Sequence, residues 1–192
     1  MVLFKTADAE ISLVEQARHG DSNAFGDLVR LHYPGVVRVV FRLCGDARLA
    51  EDMAQEAFLR AWINLSSFHP QSSIRNWFYR IAVNAALDVL RRRPEETLED
   101  EATQMLPDQK TSPEVAMIEK EGMTQVQQAI QSLPEAARSV LILREYGELS
   151  YQEIANVLNV PVGTVMSRLN YARNRLRELL RVELLQMEKE YA

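Results

Sequence analysis

Apolar residues recur along this chain at the three-and-four spacing of α-helices, and long stretches lack the alternation that a strand would need. The clearest run is 149–180, LSYQEIANVLNVPVGTVMSRLNYARNRLRELL. Ser150 and Glu153 have the spacing of a capping box, which predicts a helix starting at Tyr151 with Ile154, Ala155 and Leu158 on its inner face. Ala155 is small and lets a second helix cross closely. Pro161 disfavours helical geometry at the residue before it, so the first helix should break over Asn159-Val160-Pro161. A second helix then runs from about Val162 to Leu180, with its apolar stripe at Val165, Leu169, Ala172, Leu176 and Leu179.

The same period places five helices in the first half of the chain. They span about 10–18, ended by Gly20; 24–32; 35–43, started by Pro34 and closed by Gly45; 48–65; and 74–92. A polar loop, 66–73, containing Pro70, separates the last two. A helical stripe resumes after Pro113 with Val115, Ile118, Met123, Val126, Ile130 and Leu133. The expected fold class is all-α, with two small helical domains at 8–93 and 114–187 joined by a flexible acidic linker, 94–113.

Winding 162–180 at 3.6 residues per turn sets Ser167, Asn170, Tyr171 and Asn174 opposite the apolar stripe. Arg168 and Arg175 flank this face on one side, Arg173 and Arg177 on the other. Hydrogen-bonding side chains in the centre suit base edges in a major groove, and arginines on both shoulders suit the phosphate walls. A solvated face of an ordinary bundle would more often mix Glu and Lys; the stretch 163–181 has five Arg and one acid. The reading that follows is a helix-turn-helix that binds DNA.

The formal charge of the 192-residue chain is −5, which argues against a nucleic-acid binder until its distribution is considered. Residues 1–93 carry 12 Lys+Arg and 10 Asp+Glu, net +2; 94–122 carry 2 and 9, net −7; 123–192 carry 8 and 8, net zero. Most of the acidity lies in and just beyond the stretch PEETLEDEATQMLPDQKTSPE, too polar and too charged to bury a core alone. Such a tether is expected to compete with phosphate for the basic surfaces; packing of the two domains over the recognition helix is the rival way to hide it. The single cysteine, Cys44, allows neither a disulfide framework nor a zinc site, and His19, His32 and His69 lack metal-ligand spacing. No signal-peptide core and no run approaching a membrane span occur, so a cytoplasmic protein without membrane insertion is expected. A di-metal helical enzyme would need Glu-x-x-His pairs, and the sequence has none. Neither a metal nor a cofactor is called for.

Two stretches of the first half stand apart. In AEDMAQEAFLRAW, 50–62, an apolar face opposes Glu51, Asp52, Gln55 and Glu56; acids near a helix start suit its dipole, which accounts better for the first two than for Glu56. In IRNWFYRIAVNAALDVLRRR, 74–93, two apolar faces leave a narrow stripe of Trp77, Arg80, Asn84, Asp88 and Arg91. Aromatic and basic groups together fit single-stranded nucleic acid, while a core helix with a solvated edge fits the same pattern equally well.

These segments occur in a telling order: QEAFLRAW, WFYRIAVN-x-x-x-D-x-x-RRR, the acidic linker, LPEAARSVLILREYGELSYQEIA, and VPVGTVMSRLNYAR. Over about 10–185 the chain resembles the bacterial sigma factors, in particular the small two-domain extracytoplasmic-function group. The resemblance implies a non-enzymatic protein that binds core RNA polymerase and directs it to promoter DNA, as duplex and as single strand. It implies polymerase contacts at Asp52, Gln55 and Glu56. It implies a −10 element reader built from Asn84, Arg80, Trp77 and Arg91 with Ser72 and Ser73 of the loop. It implies a −35 reader at Met166, Ser167, Asn170 and Tyr171, with Arg168, Arg173, Asn174 and Arg175 around them. Met166 stands where similar proteins often have a basic residue. An anti-sigma factor is a further partner that the resemblance suggests. A helix-turn-helix regulator that does not replace a sigma factor is the competing reading.

Overall fold

The computed structural model describes the backbone of residues 2–69, 73–92 and 113–190, and the side chains of 9–69, 73–92 and 122–181. The acidic linker and Pro70, Gln71 and Ser72 lie outside the described residues. Eight α-helices and one 3-10 turn make up the regular structure described: α1 (Val2–Arg18), α2 (Ser22–Cys44), α3 (Ala47–Ile63), the turn Leu65–Ser67, α4 (Ile74–Arg92), α5 (Pro113–Gln131), α6 (Glu135–Glu145), α7 (Tyr151–Leu158) and α8 (Val162–Glu190).

The N-terminal half is built around α2, which packs against α1, α3 and α4, while α3 and α4 pack on each other. Its centre is aromatic. Phe78 of α4 meets the rings of Phe25, Phe58, Trp77 and His32, with centroids 4.8 to 6.3 Å apart. The expected break at Pro34 does not occur, and one helix runs from Asp21, its cap, to Gly45. Pro34 and Arg30 are both exposed, so the carbonyl that loses its N–H partner faces solvent. Buried Leu28, His32, Val36, Val37, Val39 and Val40 on the other side hold the helix continuous. Gly35 lets α2 lie close to α4: a Cβ there would come 2.9 Å from the Tyr79 hydroxyl.

The C-terminal half packs α5, α6 and α7 against α8. The capping box forms as the spacing predicts. The Glu153 N–H donates to Ser150 Oγ at 3.3 Å, and the Ser150 N–H donates to Glu153 Oε2 at 2.7 Å. The break after α7 has a cause beyond the proline: Asn159 takes the left-handed conformation, φ 53°, and the Val160 N–H closes on the Ala155 carbonyl. Pro161 then starts α8, accepting from the Thr164 and Val165 N–H groups. Val165, Leu169 and Ala172 are buried, and Leu176 and Leu179 partly so.

The two halves pack on each other: α2 touches α5 and α6, and α4 touches α7. Much of this contact is polar. The carbonyls that end α2 are capped from the other half. Gln127 and Gln131 donate to the Arg42 carbonyl at 3.2 and 2.9 Å, and Arg138 donates to the Leu43 carbonyl at 3.1 Å. Gly45, in the left-handed region at φ 78°, sits against Gln131. Asn76 of α4 donates to Glu153 of α7 at 2.7 Å, and Arg91 pairs with Glu135 at the same distance.

Candidate nucleic-acid interface

On α8 the buried stripe fixes the rotation of the helix and so decides which side chains face out. Met166, Ser167, Asn170, Tyr171, Asn174 and the arginines Arg173, Arg175 and Arg177 are exposed. Met166 and Tyr171 leave 54% and 51% of their surface open, so packing of the two halves does not cover this face. Among the described residues, the Asn170 side chain has no hydrogen-bond partner. Ser167 donates to the Thr164 carbonyl at 3.0 Å, which leaves its oxygen free to accept.

The arginine shoulders are less free than their spacing suggests. Arg173 pairs with Glu145 of α6 at 2.7 Å, which raises its pKa. Arg175 pairs with Glu178, and Arg177 donates to Asn174. Arg168 is only half exposed: it turns into a cleft between the two halves instead of flanking the reading face in open solvent. These exposed pairs cost little to break, so a phosphate can replace the carboxylate.

On α4 the expected stripe divides. Arg80, Asn84, Asp88 and Arg91 are exposed, as the wheel predicts. Trp77 is not free: it packs on Phe68 at 5.3 Å and on Phe78 at 6.0 Å, because the loop after α3, polar in most of its residues, folds Phe68 back into the core. Ser73 is exposed beside the start of α4, and Ser72 lies outside the described residues. Asn84 makes no hydrogen bond among the described residues. Arg91 holds Glu135 with two nitrogens at 2.7 and 3.1 Å, and that bond raises its pKa.

Asn84, Asp88 and Arg91 of α4 face Glu135 of α6 and Arg168 of α8 across an open cleft of about 500 Å³, floored by Leu87, Leu158 and Val160. At the contact of α7 with α4, partial burial opposes ionisation of Glu153, but hydrogen bonds from Asn76 and Ser150, with Arg75 near, outweigh it and hold the pKa below the usual carboxylate value.

On α3, Asp52 and Gln55 are exposed and Glu56 half exposed, its carboxylate 2.7 Å from Arg60. Leu59 and Ile63 extend the same side of the helix, 61% and 76% exposed. The sequence reading passed over these two, although their spacing of three and four from Glu56 and Leu59 was the available signal. Nothing in the sequence pointed to Glu135, Glu145, Gln127 or Arg138 as partners of arginines or carbonyls on other helices. No group of residues able to hold a metal ion and no helix long and apolar enough to cross a membrane occurs among the described residues.

Two helical units, one with a helix-turn-helix whose outer face is polar and basic, define a DNA-binding protein. Family comparisons make this specific. Residues 28–95 match sigma-70 region 2, and residues 123–176 match sigma-70 region 4. The chain is 36% identical over 178 residues to the ECF RNA polymerase sigma factor SigW of Bacillus subtilis, covering 88% of this chain and 95% of that one. It is similar in fold to CnrH, solved in complex with the cytosolic domain of CnrY, with a TM-score of 0.71 at 27% identity, covering 91% and 98% of the two chains. It is also similar to RpoE of Bartonella quintana, solved with the anti-sigma factor NepR, with a TM-score of 0.68 at 26% identity, covering 82% and 97%. The chain belongs to the extracytoplasmic-function sigma factors of the sigma-70 family. It is a promoter-recognising sigma factor that binds RNA polymerase and not an enzyme.

Proposed function

We propose that this sigma factor divides its work between three surfaces. The exposed face of α8, centred on Ser167, Asn170 and Tyr171, reads the −35 element in the major groove. The stripe of α4 around Asn84, with Arg80, Arg91 and the loop at Ser72 and Ser73, reads and traps the −10 element. Asp52, Gln55 and Glu56 on α3, continued by the apolar Leu59 and Ile63, dock on core RNA polymerase. The domains are 8–93 and 114–187, the protein works in the cytoplasm beside polymerase and DNA, and it takes an anti-sigma factor as a regulatory partner, as RpoE of Bartonella quintana does.

One observation carries this reading. Two polar faces, on α4 and α8, stay exposed with the side chains of Asn84 and Asn170 unpartnered among the described residues, although each helix buries its opposite stripe in the core. A base extruded from a duplex must be caught to offset its unstacking, and an unpartnered amide beside a cleft can do that. Promoters recovered by run-off transcription with core polymerase test it. Asn84→Ala should impair opening on duplex promoters while leaving polymerase binding intact, and a pre-melted bubble should relieve the defect. Permanganate footprints showing normal opening in the variant would remove α4 from the −10 role.

A further inference from the structure

We propose that the exposed face of α8 selects A·T base pairs, with Met166 seated against the 5-methyl group of a thymine and Asn170 paired to an adenine close by. The proposal rests on the assignment of this face to the −35 element and adds the bases that it reads.

The composition of the face decides which bases it suits. The N-terminal turns of a recognition helix supply the contacts to base edges in the major groove. In α8 the outward side chains of those turns are Met166, Ser167, Asn170 and Tyr171, all exposed. None is charged. Guanine is read most often by an arginine or lysine that donates to both its N7 and O6 acceptors. Residues 162–178 contain no lysine, and the arginines among them stand on the shoulders of the face. Arg173 is held by Glu145 of α6 and Arg175 by Glu178, both pairs within the same half of the molecule. Arg177 donates to Asn174, and Arg168 is half exposed on the flank nearest α4. The centre of the face therefore lacks the group that guanine calls for.

What it offers instead matches adenine and thymine. The Asn170 amide is uncommitted, so it can accept from adenine N6 and donate to adenine N7 at once. The Ser167 hydroxyl, with its proton on the Thr164 carbonyl, is left as an acceptor and suits an amino group, not a guanine edge. Met166 leaves 54% of its surface open, and Tyr171 51%. A thioether this open to water gains by covering a methyl group, and of the four bases only thymine presents one in the major groove.

Spacing ties the two contacts together. Met166 and Asn170 are four residues apart and so lie one above the other on the same side of the helix. Four residues rise about 6 Å along the axis at ~1.5 Å each, and base pairs are ~3.4 Å apart. The thymine and the adenine should therefore fall within about two base pairs of each other, on either strand. The buried stripe Val165, Leu169 and Ala172 fixes the direction of both side chains.

The test uses holoenzyme reconstituted from the full-length chain and core RNA polymerase, on a promoter whose upstream element is randomised and whose remaining sequence is kept. Bound duplexes should be enriched in a thymine and an adenine within about two base pairs of each other. Replacing the selected thymine by uracil deletes only the methyl group and should weaken binding about fourfold, the contribution of one buried methyl. Met166→Ala, which puts a good helix former at an exposed position, should bind the thymine and uracil duplexes alike. Asn170→Ala should lose the preference for adenine, roughly tenfold, and keep the sensitivity to the methyl group. Guanine selected by the wild type in place of the thymine, a uracil that costs nothing, a uracil penalty that survives in Met166→Ala, or an adenine preference that survives in Asn170→Ala would overturn the proposal. Failure of the −35 assignment itself looks different: the wild type, Met166→Ala and Asn170→Ala would then all select one and the same upstream sequence.

Discussion

The reading faces of α8 and α4 differ in what makes them. The α8 face is a local product. A capping box starts α7, Asn159 and Pro161 set the turn, and the stripe Val165–Leu169–Ala172 fixes the rotation of α8, all within residues 150–172. The α4 face is assembled from distant parts: Phe68 folds under Trp77, Glu135 reaches Arg91 from 44 residues away, and Asn76 meets Glu153 from 77. A recognition surface made locally can be read in isolation, whereas one made by packing changes with whatever packs on it.

The largest effect that would separate the two regions is in the aromatic core. Phe78→Ala removes a ring that is 1% exposed and touches four others; it should cost about 3–5 kcal/mol in urea denaturation and expose α4, while the α7–α8 unit keeps its helical structure. Simultaneous loss of both halves would show that the helix-turn-helix depends on α4 more than its local construction implies.

His32 gives the next effect, and it belongs to the N-terminal half alone. Burial, with Arg75 adding to it, pushes the imidazole down to about 4, even though a Glu10 carboxylate oxygen lies 3.5 Å away. The unfolded chain takes up this proton near pH 6.5 and the folded chain near pH 4. Stability should therefore fall as pH drops through that window, by up to about 3 kcal/mol. Denaturation curves between pH 7 and 4 should show this slope in the wild type and lose it in a folded His32→Leu variant. An unchanged slope assigns the proton elsewhere.

Smaller effects test the α8 face directly. Asn170→Ala should cost about 1–3 kcal/mol at one position of a selected −35 sequence and nothing elsewhere. Arg173→Ala should weaken all sequences alike and reduce the salt slope by about one, the loss being blunted because Glu145 already holds this arginine. Equal, base-independent losses in both variants would invert the roles. The smallest change expected is Ser150→Ala, about 1 kcal/mol in thermal denaturation, since it removes one bond of the capping box and leaves the α4 half untouched.

Much of this was legible before any coordinates. The bounds of α4 and the start of α7, the inward stripe of α8 and the outward set Ser167, Asn170, Tyr171 and Asn174 follow from periods and caps, which act over three or four residues. Pro34 misled for a physical reason: a proline signal is local, but six buried side chains on the other side of α2 decide the helix. Trp77 was placed in a polar stripe because its neighbours every three or four residues are polar; Phe68, which covers it, carries no such signal. The pairing of Arg91 with Glu135 is not legible because sequence gives charge without partner.

What the sequence determined by itself is therefore most of the helices (though neither the continuity of α2 nor the presence of α6), the inward face of α8, and the family to which their order belongs. All are fixed by interactions between residues close along the chain. Only the tertiary structure decided how the halves meet, that Gln127, Gln131 and Arg138 cap α2, and that Glu135 holds Arg91. Those bonds join residues 44 to 95 apart, and a hydrogen bond from a side chain to a group so distant in sequence leaves no periodic trace in either segment that makes it.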